Sequence, residues 1–180
     1  MLVADLCTHL PTSEVGEECL MVLVDVASGM HFAYPMIGKS PSDVCRHLLD
    51  AITQLKQVRM SMGFSPIPES GWKLHTDAGG EFSGAEVQEL LTKEGGVWKP
   101  CMTDRHVPFA ESAIRSIVDK MRSMIEFGGV PVTFWPYAAT HAAAVQRLRI
   151  CTEYRAWLES NGSNVQPRVF GALCFTPIPH

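Results

Sequence analysis

Apolar runs and polar breaks mark out a regular alternation of short elements. Leu2 to Cys7 reads as a strand with one carboxylate, Asp5, inside it. Cys19 to Val26 is apolar throughout except for Asp25, as expected of a strand covered on both faces. Ala27-Ser28-Gly29 is a turn signal, and Met30 to Met36 follows as the hairpin partner. After Pro41, Ser42 and Asp43 mark a helix start. Val44, Leu48, Ile52 and Leu55 then recur at helical spacing to about residue 58. Residues 60–70, with Pro66 and Pro68, read as a loop, and Trp72 to Thr76 as a strand. Ser83 and Glu86 have capping-box spacing ahead of a helix with Val87, Leu90 and Leu91 on its apolar face, ended by Gly95-Gly96.

Val97 to Lys99 is a short strand stopped by Pro100. A long helix starts near Phe109, with Ala110, Ile114, Ile117, Met121 and Ile125 on one face, and breaks at Gly128-Gly129. Another runs from about Thr133 to Arg149, with Pro136 tolerated in its first turn. Residues 151–167 read as irregular, and Arg168 to Phe175 as a last strand. The order β-β-β-α-β-α-β-α-α predicts a mixed α/β fold. A three-stranded hairpin part is extended by two parallel strands to give a five-stranded sheet flanked by helices. Length predicts one domain: a core over residues 1–150, then an extension over 151–180 of irregular chain and a short strand.

Composition narrows the class. No apolar run reaches the roughly 18 residues that a membrane span needs. Met1 to Asp5 lacks the basic and apolar regions of a signal peptide, which predicts an intracellular protein. The chain begins almost on its first strand, as a fragment of something longer would. Six scattered cysteines without a C-x-x-C pair argue against a disulfide framework and a zinc cluster. Cys7 and His9 alone do not make a zinc site. The net charge of −4 is unlike that of a dedicated nucleic-acid binder. Its distribution is uneven: residues 1–96 carry 6 Lys+Arg against 13 Asp+Glu, and residues 97–155 carry 8 against 5. Any nucleic-acid contact should therefore fall in the second half.

Three carboxylates stand out by position. Asp5 lies in the first strand and Asp77 follows the fourth. Glu111 lies in the first turn of the long helix. A parallel pairing of the first and fourth strands, with that helix start beside them, would gather all three at one sheet end, where sites in α/β sheets sit. Converging acids repel one another unless a cation lies between them. Oxygen donors suit Mg²⁺ or Mn²⁺, and two such ions about 4 Å apart clamp an in-line phosphoryl transfer.

Asp5-Leu-Cys-Thr-His-Leu, His75-Thr-Asp77-Ala-Gly-Gly-Glu-Phe and Phe109-Ala-Glu111-Ser together resemble the D,D(35)E signature of retroviral and retrotransposon integrase cores. Asp77 and Glu111 are separated by 33 residues, 78 to 110. Leu23-Val-Asp25-Val-Ala-Ser-Gly29 resembles the family's second strand and turn, and Lys39-Ser-Pro-Ser-Asp43-Val the start of its first helix. Phe134-Trp135-Pro-Tyr-Ala-Ala139 and Arg168-Val-Phe-Gly171 are similar to segments of copia-like elements. The match runs in order over nearly the whole chain.

The resemblance implies an RNase H-like fold and DNA transfer chemistry. Asp5 would bridge two ions, Asp77 bind the first and Glu111 the second. The implied partners are DNA, as element ends and target, and further copies of the chain in a homodimer or larger assembly. The implied place of action is the nucleus, with no membrane role and no other cofactor. Arg105, His106, Arg115, Lys120 and Arg122 are candidate DNA contacts; for the last three an ordinary solvated helix face is the alternative.

Departures from the family are specific. Ala78 replaces the usual Asn. Arg105-His106-Val107-Pro108 replaces Gln-x-Asn-Gly, and Ser112 replaces a common Arg. A histidine–cysteine zinc pattern upstream and a basic tail downstream are not in the chain. Two other functions therefore stay open: an integrase-like module used for DNA or protein interaction, and an RNase H-fold nuclease. Asp25 is expected to bond to its turn, His75 to pack or hydrogen-bond, and Glu81 to be a solvated turn acid. Trp135 and Tyr137 are expected to be core anchors.

Overall fold

The computed structural model describes residues 1–61, 67–101, 108–150, 152–160 and 162. Five strands form one sheet in the order β3-β2-β1-β4-β5. They are β1 (Leu2–Cys7), β2 (Cys19–Asp25), β3 (Met30–Met36), β4 (Trp72–Thr76) and β5 (Gly96–Pro100). β1 pairs antiparallel with β2, and β2 with β3; β1 pairs parallel with β4, and β4 with β5. This is the mixed sheet expected from the sequence, and it is consistent with an RNase H-like fold.

The unbroken apolar run of β2 has a direct cause. Cys19, Met21 and Leu23 face one core with helices α1 (Pro41–Ser61) and α3 (Ala85–Lys93). Leu20, Val22 and Val24 face a second core with α4 (Pro108–Gly128) and α5 (Trp135–Ile150). A strand sandwiched between helix layers has no solvent face, so no polar alternation survives. On α4, Ala113, Ile117, Val118 and Met121 are buried in the second core, with Ile114 and Ile125 packed against it.

Several local expectations change. Ser83 is not a capping residue. It ends a separate turn of helix, α2 (Gly80–Ser83), where its Oγ donates to the Gly80 carbonyl; Gly84 is the N-cap of α3 and makes no side-chain cap bond. A 3-10 turn, Val132–Phe134, precedes α5, and Pro136 lies in the first turn of that helix. Trp135 is fully buried and donates from its indole N–H to the Pro11 carbonyl at 2.7 Å. Tyr137, by contrast, is 56% exposed and rests on Phe134, so it is no core anchor. Residues expected to be irregular form helix α6 (Thr152–Ser160). The last expected strand, 168–175, lies outside the described residues. Cys7, Cys19, Cys45 and Cys101 are free thiols. Among the described residues no helix is long and apolar enough to cross a membrane.

Two glycines are sterically required where α3 turns into β5. Gly95 has φ +77°, and a Cβ there would lie 1.8 Å from the Glu69 carbonyl oxygen; one on Gly96 would lie 2.5 Å from the Trp72 ring.

Candidate functional site

β1 is the central strand, and its two halves differ. Leu2, Val3 and Ala4 are buried, while Asp5, Leu6 and Cys7 are half-buried where the strand reaches the sheet end. Leu2 pairs with Leu74 and Val3 with His75. The same offset carried forward sets Asp5 level with Asp77, which is exposed just past β4. The ladder pairing ends at Val3–His75, before either acid. Thr76, at the end of β4, is buried; its Oγ1 donates to the Asp77 carbonyl and accepts from the Trp98 indole. That fixes the backbone from which Asp77 projects.

Asp5 registers the other acids. Burial pushes its carboxyl above the ordinary carboxylate range. The Leu6 N–H, donating to Oδ1 at 2.7 Å, works the other way, and the charges of Asp77, Glu111 and Glu81 each raise it further. Convergence of like charges is thus built into the sheet end. Glu111, exposed in the first turn of α4, shares a cleft of about 430 Å³ with Asp5 and Cys7. The rest of the wall is Ile114, Arg115, Val118, Asp119 and Arg122. The donor set is one of hard oxygens and fits Mg²⁺ or Mn²⁺ in kind. Its spacing is more open than ligation needs: among the described residues no three His, Cys, Asp or Glu side chains stand together as a metal-holding group.

Other expected residues separate into near and far. Glu81 is half-buried and close enough to bear on Asp5, so it is more than a solvated turn acid. Its carboxylate folds back over Gly79, where a Cβ would lie 2.7 Å from Oε2. His75 lies 4.0 Å from the Cys101 thiol, with its pKa lowered by burial first, then by Lys73, the N-terminus and Lys99. Asp25 is fully buried, accepts from Ser28 Oγ at 2.7 Å and the Ala27 N–H, and pairs with Arg59 at 2.9 Å. It is a structural acid, as its turn position suggested.

Arg115 and Arg122 both line the cleft; Lys120 does not. Lys120 is five residues beyond Arg115, about 140° around the helix, and its ammonium donates to Ser116. Arg105 and His106 lie outside the described residues. Asp119 was not singled out by sequence, and Cys7 was weighed only as half of an insufficient zinc pair. The signal for Cys7 was its place two residues from Asp5 on one strand face. The α4 wall was legible as Glu111, Arg115, Val118 and Arg122, at intervals of four, three and four residues.

No protein-family model matches the chain. It is 30% identical, over an alignment of 175 residues, to the retrovirus-related Pol polyprotein from transposon TNT 1-94 of Nicotiana tabacum. The alignment covers 91% of this chain and 13% of that polyprotein, so the chain spans about an eighth of its relative's length. The chain is thus related, over nearly all its length, to a segment of a copia-like retrotransposon Pol polyprotein, and in sequence and fold it is consistent with a retrotransposon integrase-type region.

Proposed function

We propose that this chain is the catalytic core of a DNA strand transferase, cutting and joining phosphodiesters with two divalent cations, Mg²⁺ or Mn²⁺, as in retrotransposon integration. The observation that carries the reading is that Asp5 and Glu111 line one cleft at the sheet end to which the β1–β4 register also leads Asp77. Asp5, Asp77 and Glu111 would hold the ions. Bound there, the ions would lower the pKa of the attacking water or 3′-hydroxyl and offset charge on the leaving oxygen. Asp5 is the rigid member, held by the Leu6 N–H inside the sheet. Asp77 and Glu111 are exposed, and holding the ions would require both to draw inward from their open spacing. Arg115 and Arg122 on the cleft wall would bind phosphates flanking the scissile bond, positioning the strand without reading its sequence. On this reading the partners are element ends, target DNA and further copies of the chain, acting in the nucleus.

The test is a Mg²⁺ titration of the wild-type chain and Asp5→Asn, followed by calorimetry. Binding that weakens sharply in the variant is expected, and identical isotherms would sink the site assignment. A second reading, a module kept for DNA or protein interaction, is favoured by the open carboxylate spacing and by Ala78 beside Asp77. Nicking or strand transfer by the wild-type chain in Mn²⁺ would exclude it. Duplex DNA, RNA–DNA hybrid and junction substrates compared side by side would separate a transferase from an RNase H-type nuclease.

A further inference from the structure

Helices α5 and α6 serve opposite faces of the sheet. Trp135, Ala138, Ala139, Ala142 and Ala143 of α5 lie in the second core, whereas Tyr154 of α6 packs on the first. β3 is an end strand of the sheet. Between Ala143 and Tyr154 the chain therefore passes round β3, from one face to the other. Arg147 marks the crossing. It belongs to α5, yet its guanidinium lies over the ring of Phe32, a residue of the first core, 5.2 Å from the centroid. The Tyr154 ring centroid is 5.9 Å from the same guanidinium. One side chain thus joins α5, β3 and α6.

The strand edge at this crossing needs a cover. Pro35 has no N–H and stands in β3 opposite Leu20, which an end strand tolerates where the nitrogen turns away from its neighbour. His31 and Ala33, four and two residues earlier, then turn their N–H groups to the same open side. Both residues are nevertheless buried. Open strand edges pair with other chains unless a helix or loop lies over them. The cover here is held in tension. Arg147 Nε is shut from solvent and has no hydrogen-bond partner. The cost of that stranded donor opposes the two ring contacts, and lifting α6 would return the nitrogen to water.

We propose that the passage from α5 to α6 is a strap over the β3 edge, pinned by Arg147 and poised to open locally, and that it keeps β3 from pairing with a second copy of the chain. The ring contacts hold the strap shut, and the stranded Nε sets how readily it lifts. Neither statement depends on the carboxylate cleft.

Amide hydrogen exchange of the full chain, read residue by residue, tests the strap. Arg147→Ala and Tyr154→Ala each remove ring contacts and should quicken exchange at His31 and Ala33 roughly tenfold, with Leu23 inside the sheet keeping its wild-type rate. Edge amides that stay at wild-type rates, or that quicken only in step with Leu23, would overturn the strap. Arg147→Met keeps a stem between the rings and removes the stranded donor, so it should slow edge exchange below wild type. A rate at or above wild type would overturn the poise. Sedimentation velocity over a range of concentrations tests the guarding role. Variants with a quickened edge should form larger species than wild type as concentration rises, and a quickened edge with wild-type sedimentation would overturn that role.

Discussion

Leu2 pairs with Leu74 and Val3 with His75, and the same offset carried two residues on sets Asp5 level with Asp77. Asp5 pays for that position in stability: burial and three neighbouring carboxylates oppose its ionisation. Asp5→Asn keeps the shape and removes the charge. The expected outcome is a higher melting temperature at neutral pH together with weaker divalent-cation binding, read by calorimetry on one pair of samples. A fall in both would mean that Asp5 is a net structural support.

Arg59 and Asp25 make the opposite case. The last turn of α1 reaches the fully buried acid at the β2–β3 turn, 2.9 Å away. Removing one partner strands a buried charge, so Arg59→Met should cost about 3–5 kcal/mol in denaturant unfolding. A loss below about 1 kcal/mol would show that water reaches Asp25.

His31 supplies an acid sensitivity. Burial lowers its pKa, opposed by its Gly29 contact, with Lys120 and Arg147 lowering it further. Above 6.5 it is neutral folded or unfolded and contributes no pH dependence. As pH falls from 6.5 towards the lower folded value, only the unfolded chain takes the proton, and stability declines. Melting temperatures between pH 7 and 5 should fall less steeply in His31→Gln than in wild type. Parallel curves would place the acid sensitivity elsewhere.

Gly95 and Gly96 should not tolerate a methyl group. Gly96→Ala drives a Cβ into the Trp72 ring and should destabilise by about 1–3 kcal/mol. Gly95→Ala meets backbone at 1.8 Å and forces φ +77° on alanine, so it should cost more. Equal losses in urea titrations would show that the Gly95 turn relaxes.

Cys7 reports the charge balance of the cleft. Burial raises its pKa, Asp5 raises it further and Arg122 lowers it. Alkylation at pH 8, followed by peptide mapping, should therefore quicken in Asp5→Asn and slow in Arg122→Gln. The reverse order would place Arg122 out of range of the thiol.

Strands were legible wherever burial on both faces leaves an unbroken apolar run, as in Cys19–Asp25, or wherever a turn residue closes one, as Gly29 does. The three carboxylates were legible because strand ends and helix starts are punctuated. Facing was harder to read. Lys120 falls in the same stretch as Arg115 and Arg122, and only the packing of Ile117 and Met121 decides which of them turns to the cleft. Helix α6 does carry Tyr154, Trp157 and Leu158 at helical spacing, a short pattern overshadowed by the Asn, Ser and Gly that follow it; Tyr154 packs on the first core and faces Arg147. Tyr137 sat in an apolar stretch of sequence, but its position on α5 faces outward while Trp135 and Ala138 of the same turn face the core.

The β1–β4 pairing also orders events in time. β1 meets β2 within twenty residues, but its parallel partner is 72 residues further along. At ribosomal rates of 5–20 residues per second, roughly 4–15 s separate the two. During that interval β1 is an open strand, and Asp5 has neither Asp77 nor Glu111 beside it. A nascent chain should therefore pass through a three-stranded hairpin stage that cannot gather the acids, and the carboxylate cleft closes only once the start of α4 has been made.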